Sequence, residues 1–431
     1  MNKKNLCQSK KYNIEVLKKS TKLIVGPVLL QYIMWIIREA QKDKITTLYF
    51  LARDGYFMHQ YASELCEKYK IPIDCHYLYC SRYSLRIPSY HLDEIKALEY
   101  ICLGGKELNF IKILQRAGLT QNECKIVSND MGMPLERQLT YQEVQAMKVT
   151  LKESTVFMNY MLKHSRESYR YCIEYLKQEG LMKLDGVAIV DSGWTGSMQY
   201  TLAKLLGSVG GETSMLRGYY FGMYHSVKGH EDQYKTYFFS NRKSFMNKVN
   251  FNNNLFEAIY GAPHPMTESY EWSEDKQKVI PKFFAKENPN KRFIEIEEVY
   301  LTEYLNNILK ETTIDNLYGY IDRKDFLKLM KRLMMHPTDE EIYIYGSLMF
   351  SDDTSEHTVY QLAEPLTEEE LKKISILARV ASKIGKHHKI IKEPVWIEGS
   401  IARLPDDIQK RYIRQVSLYK YLLYIKKGIS G

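Results

Sequence analysis

The sequence predicts an α/β fold built on a parallel sheet, with a large helical insertion and a helical C-terminal region. Two short apolar runs, 48–52 and 77–80, flank a helical pattern, and a third run, 187–190, leads into an acidic residue and a loop of small residues. Continuous apolar runs of this length are typical of strands buried on both faces of a sheet. A helix between two such strands provides the connection that parallel pairing needs.

The pattern of predicted elements divides the chain into three parts. They are an α/β core formed by residues 1–90 and 181–270, a helical insertion at 91–180, and a mainly helical C-terminal region at 271–431. The insertion has 3.6-residue periodicity and a capping box at Thr140 and Glu143. The last boundary is placed where the chain becomes charged and contains Pro281 and Pro289.

The composition excludes several classes of protein. Of the 431 residues, 45% are hydrophobic and 26% charged, which excludes a wholly disordered chain. The 61 Lys and Arg against 52 Asp and Glu give a net charge of +9 without a dense basic block. We therefore expect no nucleic-acid partner, whereas an anionic small molecule or membrane surface fits this charge.

The cysteines and the N-terminal segment favour a cytoplasmic location. The seven cysteines are odd in number and form no CxxC pair, which indicates reduced thiols. The opening segment MNKKNLCQSKKYN lacks the apolar stretch of a secretory signal. The most apolar stretch, Leu23 to Ile37, is about 15 residues long and is predicted to be a buried helix too short to span a bilayer.

The strongest signal for a ligand follows the third apolar run. Asp191 is predicted to end a strand, and a small-residue loop leads to a helix that opens at Thr195, Gly196 and Ser197. Free backbone N–H groups at a helix N-terminus, together with hydroxyl side chains, suit a phosphate. The alternative is an ordinary strand-to-helix connection with a hydroxyl cap.

Two more charged segments follow predicted strands. Arg53, Asp54 and Gly55 come after the first apolar run, and Arg82 comes after the second, with Arg86 one helical turn later. Ligands of open parallel sheets bind beyond the carboxyl ends of the strands, so we expect the three segments to converge on one crevice. Taken singly, each segment is also consistent with surface charges that cap a helix.

Several nucleotide and metal motifs are absent from the sequence. It contains no GxxxxGK[ST], GxGxxG, HExxH or EF-hand pattern. An apolar strand followed by a DxDxT-like nucleophile motif is also absent, which leaves a phosphatase of the haloacid-dehalogenase type unsupported.

The segments LYFLARDGY, YLYCSRYSLRIP and VDSGWTGSMQ together resemble the glycan phosphoribosyltransferases, the part of bacterial polysaccharide-cluster proteins often labelled predicted haloacid-dehalogenase hydrolases. The last segment also resembles the phosphoribosyl pyrophosphate (PRPP) loop of type I phosphoribosyltransferases. The resemblance covers about residues 20–265. It implies a type I phosphoribosyltransferase-like core that moves 5-phosphoribosyl from PRPP to a sugar hydroxyl of a growing capsule or O-antigen polysaccharide. Pyrophosphate would be released, and a separate phosphatase would later remove the 5-phosphate.

The resemblance also implies roles for individual residues. The residues assigned to PRPP are Arg53, Gly55, Arg82, Ser192, Gly193, Trp194, Thr195, Gly196 and Ser197. Among them, Thr195–Ser197 would bind the 5-phosphate, and Ser192 stands where the family usually has a second acid. The catalytic candidates are Asp54, Asp191 and Glu257. Asp191 would hold the ribose hydroxyls, and Asp54 would form the pyrophosphate loop with Arg53 and Gly55. An attacking alcohol calls for a general base, for which Asp54 and Glu257 are the candidates. Mg²⁺ would be bound through PRPP, so no metal ligands are assigned to the protein.

The expected partners follow from this activity. They are PRPP, a glycan acceptor, a separate phosphatase and the other glycosyltransferases of the pathway. The basic amphipathic segment 406–427 suits peripheral contact with the inner face of the membrane and a lipid-linked acceptor, although a packed helix with a solvated basic face fits the same pattern. Two alternatives remain, a haloacid-dehalogenase-like sugar phosphatase and a non-catalytic PRPP- or nucleotide-binding partner in a polysaccharide complex.

Overall fold

A computed structural model describes residues 14–105, 107–241, 243–351, 359–373, 375 and 393–430. Five strands form one sheet in the order β2-β1-β3-β4-β5, and every neighbouring pair is parallel. The strands are β1 (Thr47–Leu51), β2 (Asp74–Leu78), β3 (Val187–Trp194), β4 (Arg217–Met223) and β5 (Tyr234–Phe239). The prediction of an α/β fold with a parallel sheet is confirmed.

Burial differs between the central and edge strands. Ala188, Ile189 and Val190 of β3 are fully buried, as continuous apolar runs predict. Strand β2 lies at the edge and begins three residues earlier than the run Tyr77–Cys80 predicted. Its burial alternates along the strand, so the prediction that it is buried on both faces is wrong. Strand β5 was not predicted.

The first helices pack against the sheet. A π-helical turn, Thr21–Val25, leads into α1 (Gly26–Lys42), and α2 (Gly55–Tyr69) follows β1. The continuous helical segment Ile14–Lys42 has 29 residues and is long and apolar enough to cross a membrane, so the prediction that the helix around Leu23 to Ile37 is too short is wrong. Of the most apolar 18-residue stretch of this segment, 83% is buried inside the protein, as predicted for a core helix. The opening segment and Cys7, on which part of the localisation argument rests, lie outside the described residues.

The predicted helical insertion has its own apolar core. The helices that join β2 to β3 are α3 (Arg82–Ser89), α4 (Glu94–Ile101), α5 (Phe110–Arg116), α6 (Gln121–Asp130), α7 (Tyr141–Glu153) and α8 (Thr155–Gln178). Phe110, Leu114 and Phe157 are fully buried in this core. The capping box of Thr140 and Glu143 is confirmed at the start of α7.

The later part of the chain returns to the same core as the sheet. Helix α9 (Ser197–Gly207) follows β3, and α10 (Phe245–Val249) and α11 (Asn253–Tyr260) follow β5. The charged stretch at which the boundary of 271 was placed begins within an antiparallel hairpin of β6 (Thr267–Ser273) and β7 (Lys278–Phe283). Leu301, Leu305 and Trp396 are buried together with residues of the sheet, so the C-terminal region shares its core.

The remaining elements are short except for two long helices. The remaining helices are α12 (Lys291–Glu311), α13 (Ile314–Tyr320), α14 (Asp325–Met335), α15 (Asp339–Tyr345), α16 (Glu368–Lys373), α17 (Ile397–Ile401) and α18 (Asp406–Ser430). A two-residue strand, β8 (Met349–Phe350), pairs antiparallel with β9 (Tyr360–Gln361). Single 3₁₀ turns occur at Tyr90–Leu92, Thr213–Met215 and Glu231–Gln233.

Candidate functional site

A cleft of about 800 Å³ lies at the carboxyl ends of β1, β2 and β3, and we call it the strand-end cleft. It brings together the three segments that the sequence marked, although the third lies more than a hundred residues after the first two. The polar and glycine residues that line it include Arg53, Asp54, Ser81, Arg82, Asp191, Ser192, Gly193, Trp194, Thr195, Ser197 and Glu257. All the predicted site residues line this cleft except Gly55 and Gly196.

Gly55 and Gly196 shape the cleft through the backbone. Gly55 begins α2, and a Cβ atom added there would lie 2.9 Å from the carbonyl carbon of Phe50. Only a residue without a side chain lets the helix start this close to the strand. Gly196 precedes α9 with φ +66°, and an added Cβ would lie 2.9 Å from the ring of Tyr234. Both glycines therefore set the path of a loop, and neither borders the cleft.

Strand β3 runs further than the sequence predicted. It pairs with β4 as far as Trp194, so Asp191 lies three residues before the strand ends. The prediction that Asp191 ends the strand is therefore wrong, although its side chain still borders the cleft. Gly193 has φ +113°, and an added Cβ would lie 2.4 Å from the carbonyl oxygen of Gly222. The pairing of β3 with β4 requires glycine at this position.

The start of α9 can bind an anion. Thr195 and Ser197 place hydroxyl groups at the cleft, and the Thr195 hydroxyl donates to Ser197 Oγ at 3.1 Å. Gly196, the residue before the helix, has no side chain to cap its N–H groups. A helix N-terminus with free N–H groups and nearby hydroxyls favours phosphate. One of the guanidinium nitrogens of Arg86 donates to Ser197 Oγ from behind, at 3.2 Å.

Three carboxyl groups face the cleft with raised pKa values. Burial is the main cause for each, because the surrounding protein disfavours the charged form. The pKa of Asp191 lies well above its usual value, with added repulsion from Asp54 and then Glu257. Burial and repulsion by Asp54 raise the pKa of Glu257 to about 7, although Arg82 opposes the rise. A carboxyl that titrates near neutral pH suits a general base.

Hydrogen bonds link two of these carboxyls to residues at the end of β3. The Ser192 hydroxyl donates to Asp54, which belongs to the loop after β1. The indole N–H of Trp194 donates to Glu257 of α11. The sequence marked Glu257 as a candidate but did not predict its helix. Nothing in the local pattern indicates that Trp194 and Glu257 are partners.

Two arginines supply positive charge to the same cleft. Arg53 follows β1, and its peptide bond with Ala52 is cis. Arg82 is the first residue of α3, whose N-terminus is fixed by a reciprocal capping box between Ser81 and Ser84. The charges of both arginines lower the pKa of Asp54 and so partly oppose the effect of its burial. The cleft therefore combines two cations with three carboxyls.

The carboxyl groups fit a divalent cation that arrives on its ligand. Among the described residues, no three Asp, Glu, His or Cys side chains form a group that could hold a metal ion. Mg²⁺ typically takes one or two carboxylates and completes its shell with substrate phosphates and water. Asp54 and Asp191, which repel each other across the cleft, are suited to such a shared site.

A second chamber of about 850 Å³ adjoins the strand-end cleft. The two share Arg53, Asp54, Arg82, Glu257 and Met266. The opposite wall of the second chamber contains Lys286, Glu287, Asn288, Pro289, Asn290, Ile294, Met349, Phe350, Ser351 and Val359. None of these residues was predicted, because this wall forms only where the C-terminal region folds back on the sheet.

Hydrogen bonds hold the far wall of the second chamber in place. The side-chain amide of Asn288 donates to the carbonyl oxygen of Ala262 at 2.7 Å. The Asn290 side chain donates to the carbonyl oxygen of Met349 and accepts from its N–H, at 2.7 and 2.8 Å. The loop before α12 is thereby joined to β8, so that it forms a defined surface opposite Glu257.

Helix α18 combines packed and exposed faces. Lys420 turns inward and pairs with the fully buried Glu398, and Tyr424 stacks on Tyr224. Exposed residues on the other side are Arg411, Arg414, Leu418, Tyr421 and Leu422. The side chains of Lys426 and Lys427, part of the predicted basic face, lie outside the described residues. The helix is therefore compatible with both interpretations of its sequence, peripheral membrane contact and a packed helix with a solvated basic face.

No protein-family model matches this chain. The curated proteins likewise contain no match to it.

Proposed function

We propose that the protein is a type I phosphoribosyltransferase-like enzyme that moves 5-phosphoribosyl from PRPP to a sugar hydroxyl of a bacterial capsule or O-antigen glycan. The observation that carries the proposal is the pair of adjoining chambers with Arg53, Asp54, Arg82 and Glu257 between them. Group transfer requires a donor and an acceptor aligned on either side of the reacting carbon. A phosphate-binding cleft next to a second chamber, with a carboxyl between them, suits this requirement.

The residues of the strand-end cleft suggest how PRPP is oriented. The 5-phosphate lies at the start of α9, against the hydroxyls of Thr195 and Ser197. The ribose hydroxyls contact Asp191, and the pyrophosphate lies near Arg53 and Arg82. The anomeric carbon then faces the boundary with the second chamber.

Ser192 occupies the position at which the family usually has a second acid. Its hydroxyl donates to Asp54, which brings a carboxyl from the neighbouring loop next to β3. We propose that Asp54 replaces the missing acid through space and shares the ribose and pyrophosphate oxygens with Asp191. Asp54 is then a ligand-holding group, and Glu257 is the stronger candidate for the base.

The reaction is a substitution at C1 of the ribose. The C1–O bond to pyrophosphate breaks, its electron pair leaves with pyrophosphate, and the acceptor hydroxyl oxygen bonds to C1. The acceptor proton passes to the carboxylate of Glu257, whose pKa near 7 leaves much of it ionised at neutral pH. Arg53 and Arg82 stabilise the negative charge on the leaving group. Mg²⁺ bound with PRPP would neutralise further charge on the pyrophosphate.

The wider setting follows from the product and from α18. The transferred group still carries its 5-phosphate, so a separate phosphatase must act before a ribofuranose remains. The exposed stripe of Arg411, Arg414, Leu418, Tyr421 and Leu422 supports peripheral contact with an anionic membrane and thus a lipid-linked acceptor. We therefore place the reaction at the cytoplasmic face of the membrane, among the other glycosyltransferases of the pathway.

Titration calorimetry with PRPP and Mg²⁺ tests the donor site. Ribose 5-phosphate and S-adenosylmethionine are the comparison ligands, and Asp191→Asn is the variant. We expect micromolar PRPP affinity that the variant loses, and pyrophosphate release once a suitable glycan is added. A folded protein that binds no PRPP would overturn the proposal. Phosphate release from sugar phosphates would instead support a phosphatase, and PRPP binding without pyrophosphate release across a panel of acceptors would support a binding partner.

A further inference from the structure

Arg86 is a buried cation that no ion pair joins to a carboxylate within the described residues. The residue lies in α3 and is 5% exposed. Its Nε has no hydrogen-bond partner in the part of the chain that the structure describes. Burial and the charge of Arg82 lower its pKa to about 10, so the guanidinium is still charged at neutral pH. A buried charge without a counter-charge is costly, which points to an anionic ligand nearby.

The contacts of Arg86 direct this charge to the start of α9. Its Nη2 donates to Ser197 Oγ at 3.2 Å, and Thr195 Oγ1 donates to the same oxygen at 3.1 Å. A hydroxyl oxygen has two lone pairs and one proton, so these two bonds use its accepting capacity. The Ser197 proton is left to donate into the strand-end cleft, which Ser197 lines. The ring of Tyr100 holds the guanidinium from the other side, with 4.1 Å from its central carbon to the ring centre.

We infer that Arg86 is the positioning residue that makes the start of α9 selective for a phosphate monoester dianion. It keeps Ser197 as a hydrogen-bond donor toward the phosphate and adds a full positive charge behind it. The identification of that phosphate as the 5-phosphate of PRPP rests on the proposed function, whereas the selectivity itself does not. Pyrophosphate is bound separately, near Arg53 and Arg82.

Arg116 offers a matched control for Arg86. It is also 5% exposed, and it belongs to the same helical region. Its guanidinium donates to the backbone carbonyl oxygens of Ile101 and Leu103, at 3.3 and 2.6 Å. These hydrogen bonds cap the C-terminus of α4. Arg116→Lys replaces a second buried guanidinium but keeps its positive charge, which adds to the effects of burial and Arg82 on the pKa of Arg86.

The test measures two ligands separately by titration calorimetry on the full chain. Ribose 5-phosphate reports on the start of α9, and pyrophosphate with Mg²⁺ reports on the two cleft arginines. We expect Arg86→Gln to weaken ribose 5-phosphate binding by about tenfold or more, while pyrophosphate binding stays within about twofold. Arg86→Lys should restore part of the loss, and Arg116→Lys should leave both affinities unchanged.

Other outcomes would overturn the inference. An equal loss of both ligands in Arg86→Gln would show a merely structural role, and no loss of either would show that Arg86 does not act on the phosphate. If Arg86→Gln does not fold, ribose 5-phosphate binding is compared in Ser197→Ala and Ser197→Thr instead. Only the alanine variant removes the hydroxyl donor that Arg86 orients, so only that variant should weaken the binding. A wild-type protein that binds ribose 5-phosphate through Arg86 but never releases pyrophosphate from PRPP would overturn the proposed function alone.

Discussion

Two acidic clusters lie near opposite ends of the same sheet and differ in how their charge is balanced. Near the amino ends, Glu39 and Asp43 contact the Lys235 ammonium at 3.0 and 2.8 Å, and the Tyr219 hydroxyl donates to Asp43. Burial alone would raise the pKa of both carboxyls, but hydrogen bonds and charge hold both below the usual values. Lys42 and Lys235 lower the pKa of Glu39, and Lys235 and Tyr219 lower that of Asp43. This cluster is neutralised by the chain itself.

The cluster at the carboxyl ends is balanced differently. Asp54, Asp191 and Glu257 all have raised pKa values, and repulsion among them adds to the effect of burial on Asp191 and Glu257. The charges of Arg53 and Arg82 lower the pKa of Asp54, but they offset only part of the rise that burial causes. A charge cluster that the chain leaves unbalanced is a candidate for binding or catalysis, whereas a balanced one contributes to stability.

The largest expected effect comes from Glu257→Gln. If Glu257 is the base, pyrophosphate release in the presence of acceptor should fall by roughly 10²–10⁴-fold, because the amide cannot accept the proton. PRPP affinity should change far less. The control is Asp43→Asn at the other end of the sheet, which should keep nearly wild-type turnover. Equal losses in the two variants would contradict the assignment.

A second test compares two glycines with positive φ. Gly193→Ala forces a methyl group against the carbonyl oxygen of Gly222, which a Cβ would approach to 2.4 Å. We expect a loss of about 3 kcal/mol or more in the free energy of unfolding, together with loss of ligand binding. Gly210→Ala has φ +87° but no atom within 4 Å of the new Cβ, so only the backbone cost of about 1 kcal/mol applies. Urea unfolding of both variants measures the difference, and similar losses would show that crowding at β4 is unimportant.

The third prediction concerns the pH dependence of stability. The pKa of Glu257 is about 7 in the folded protein, above its unfolded value, so the folded state binds more protons between roughly pH 4.5 and 7. Stability should therefore fall as the pH rises through this range, and Glu257→Gln should reduce that fall by on the order of 1–3 kcal/mol.

In the same experiment, the acidic clusters at the two ends of the sheet should change the free energy of unfolding with pH in opposite directions. Glu39 and Asp43 have lowered pKa values, so their contribution is present above their unfolded pKa and is lost as the pH falls through the folded values. Urea unfolding from pH 3 to pH 8 resolves both limbs. If the free energy of unfolding of Glu257→Gln depends on pH above pH 5 as the wild type does, folding does not raise the pKa of this carboxyl.

The smallest expected effect is that of Asp43→Asn on stability. The substitution weakens the contact with Lys235, whose side chain is 33% exposed, so we expect a loss of about 1 kcal/mol in the free energy of unfolding. Binding of PRPP should not change, because Asp43 lies away from the strand-end cleft. A clear drop in PRPP affinity would show that the amino end also shapes the ligand site.

Much of the site was predictable because strand ends can be read locally. The runs before Arg53 and Asp191 are continuous and apolar, and a parallel sheet places such ends at one edge. Errors arose where burial is set by neighbours: β2 alternates because it lies at the edge, and Asp191 lies within β3 because β4 extends the pairing. The hairpin at 267–283 was missed because charged residues interrupt both strands and Pro281 lies within the second.

The sequence by itself determined the α/β class and the set of loops that carry the charges and the hydroxyl groups at the start of α9. Tertiary structure alone decided which of these groups form hydrogen bonds with one another: Ser192 donates to Asp54 across 138 residues, and Trp194 donates to Glu257 across 63. It also formed the second chamber and set Arg86 behind Ser197. The physical reason is that hydrophobic periodicity reports only how each segment is buried. The pairing of distant side chains, and the pKa values it sets, depend on which segments pack together.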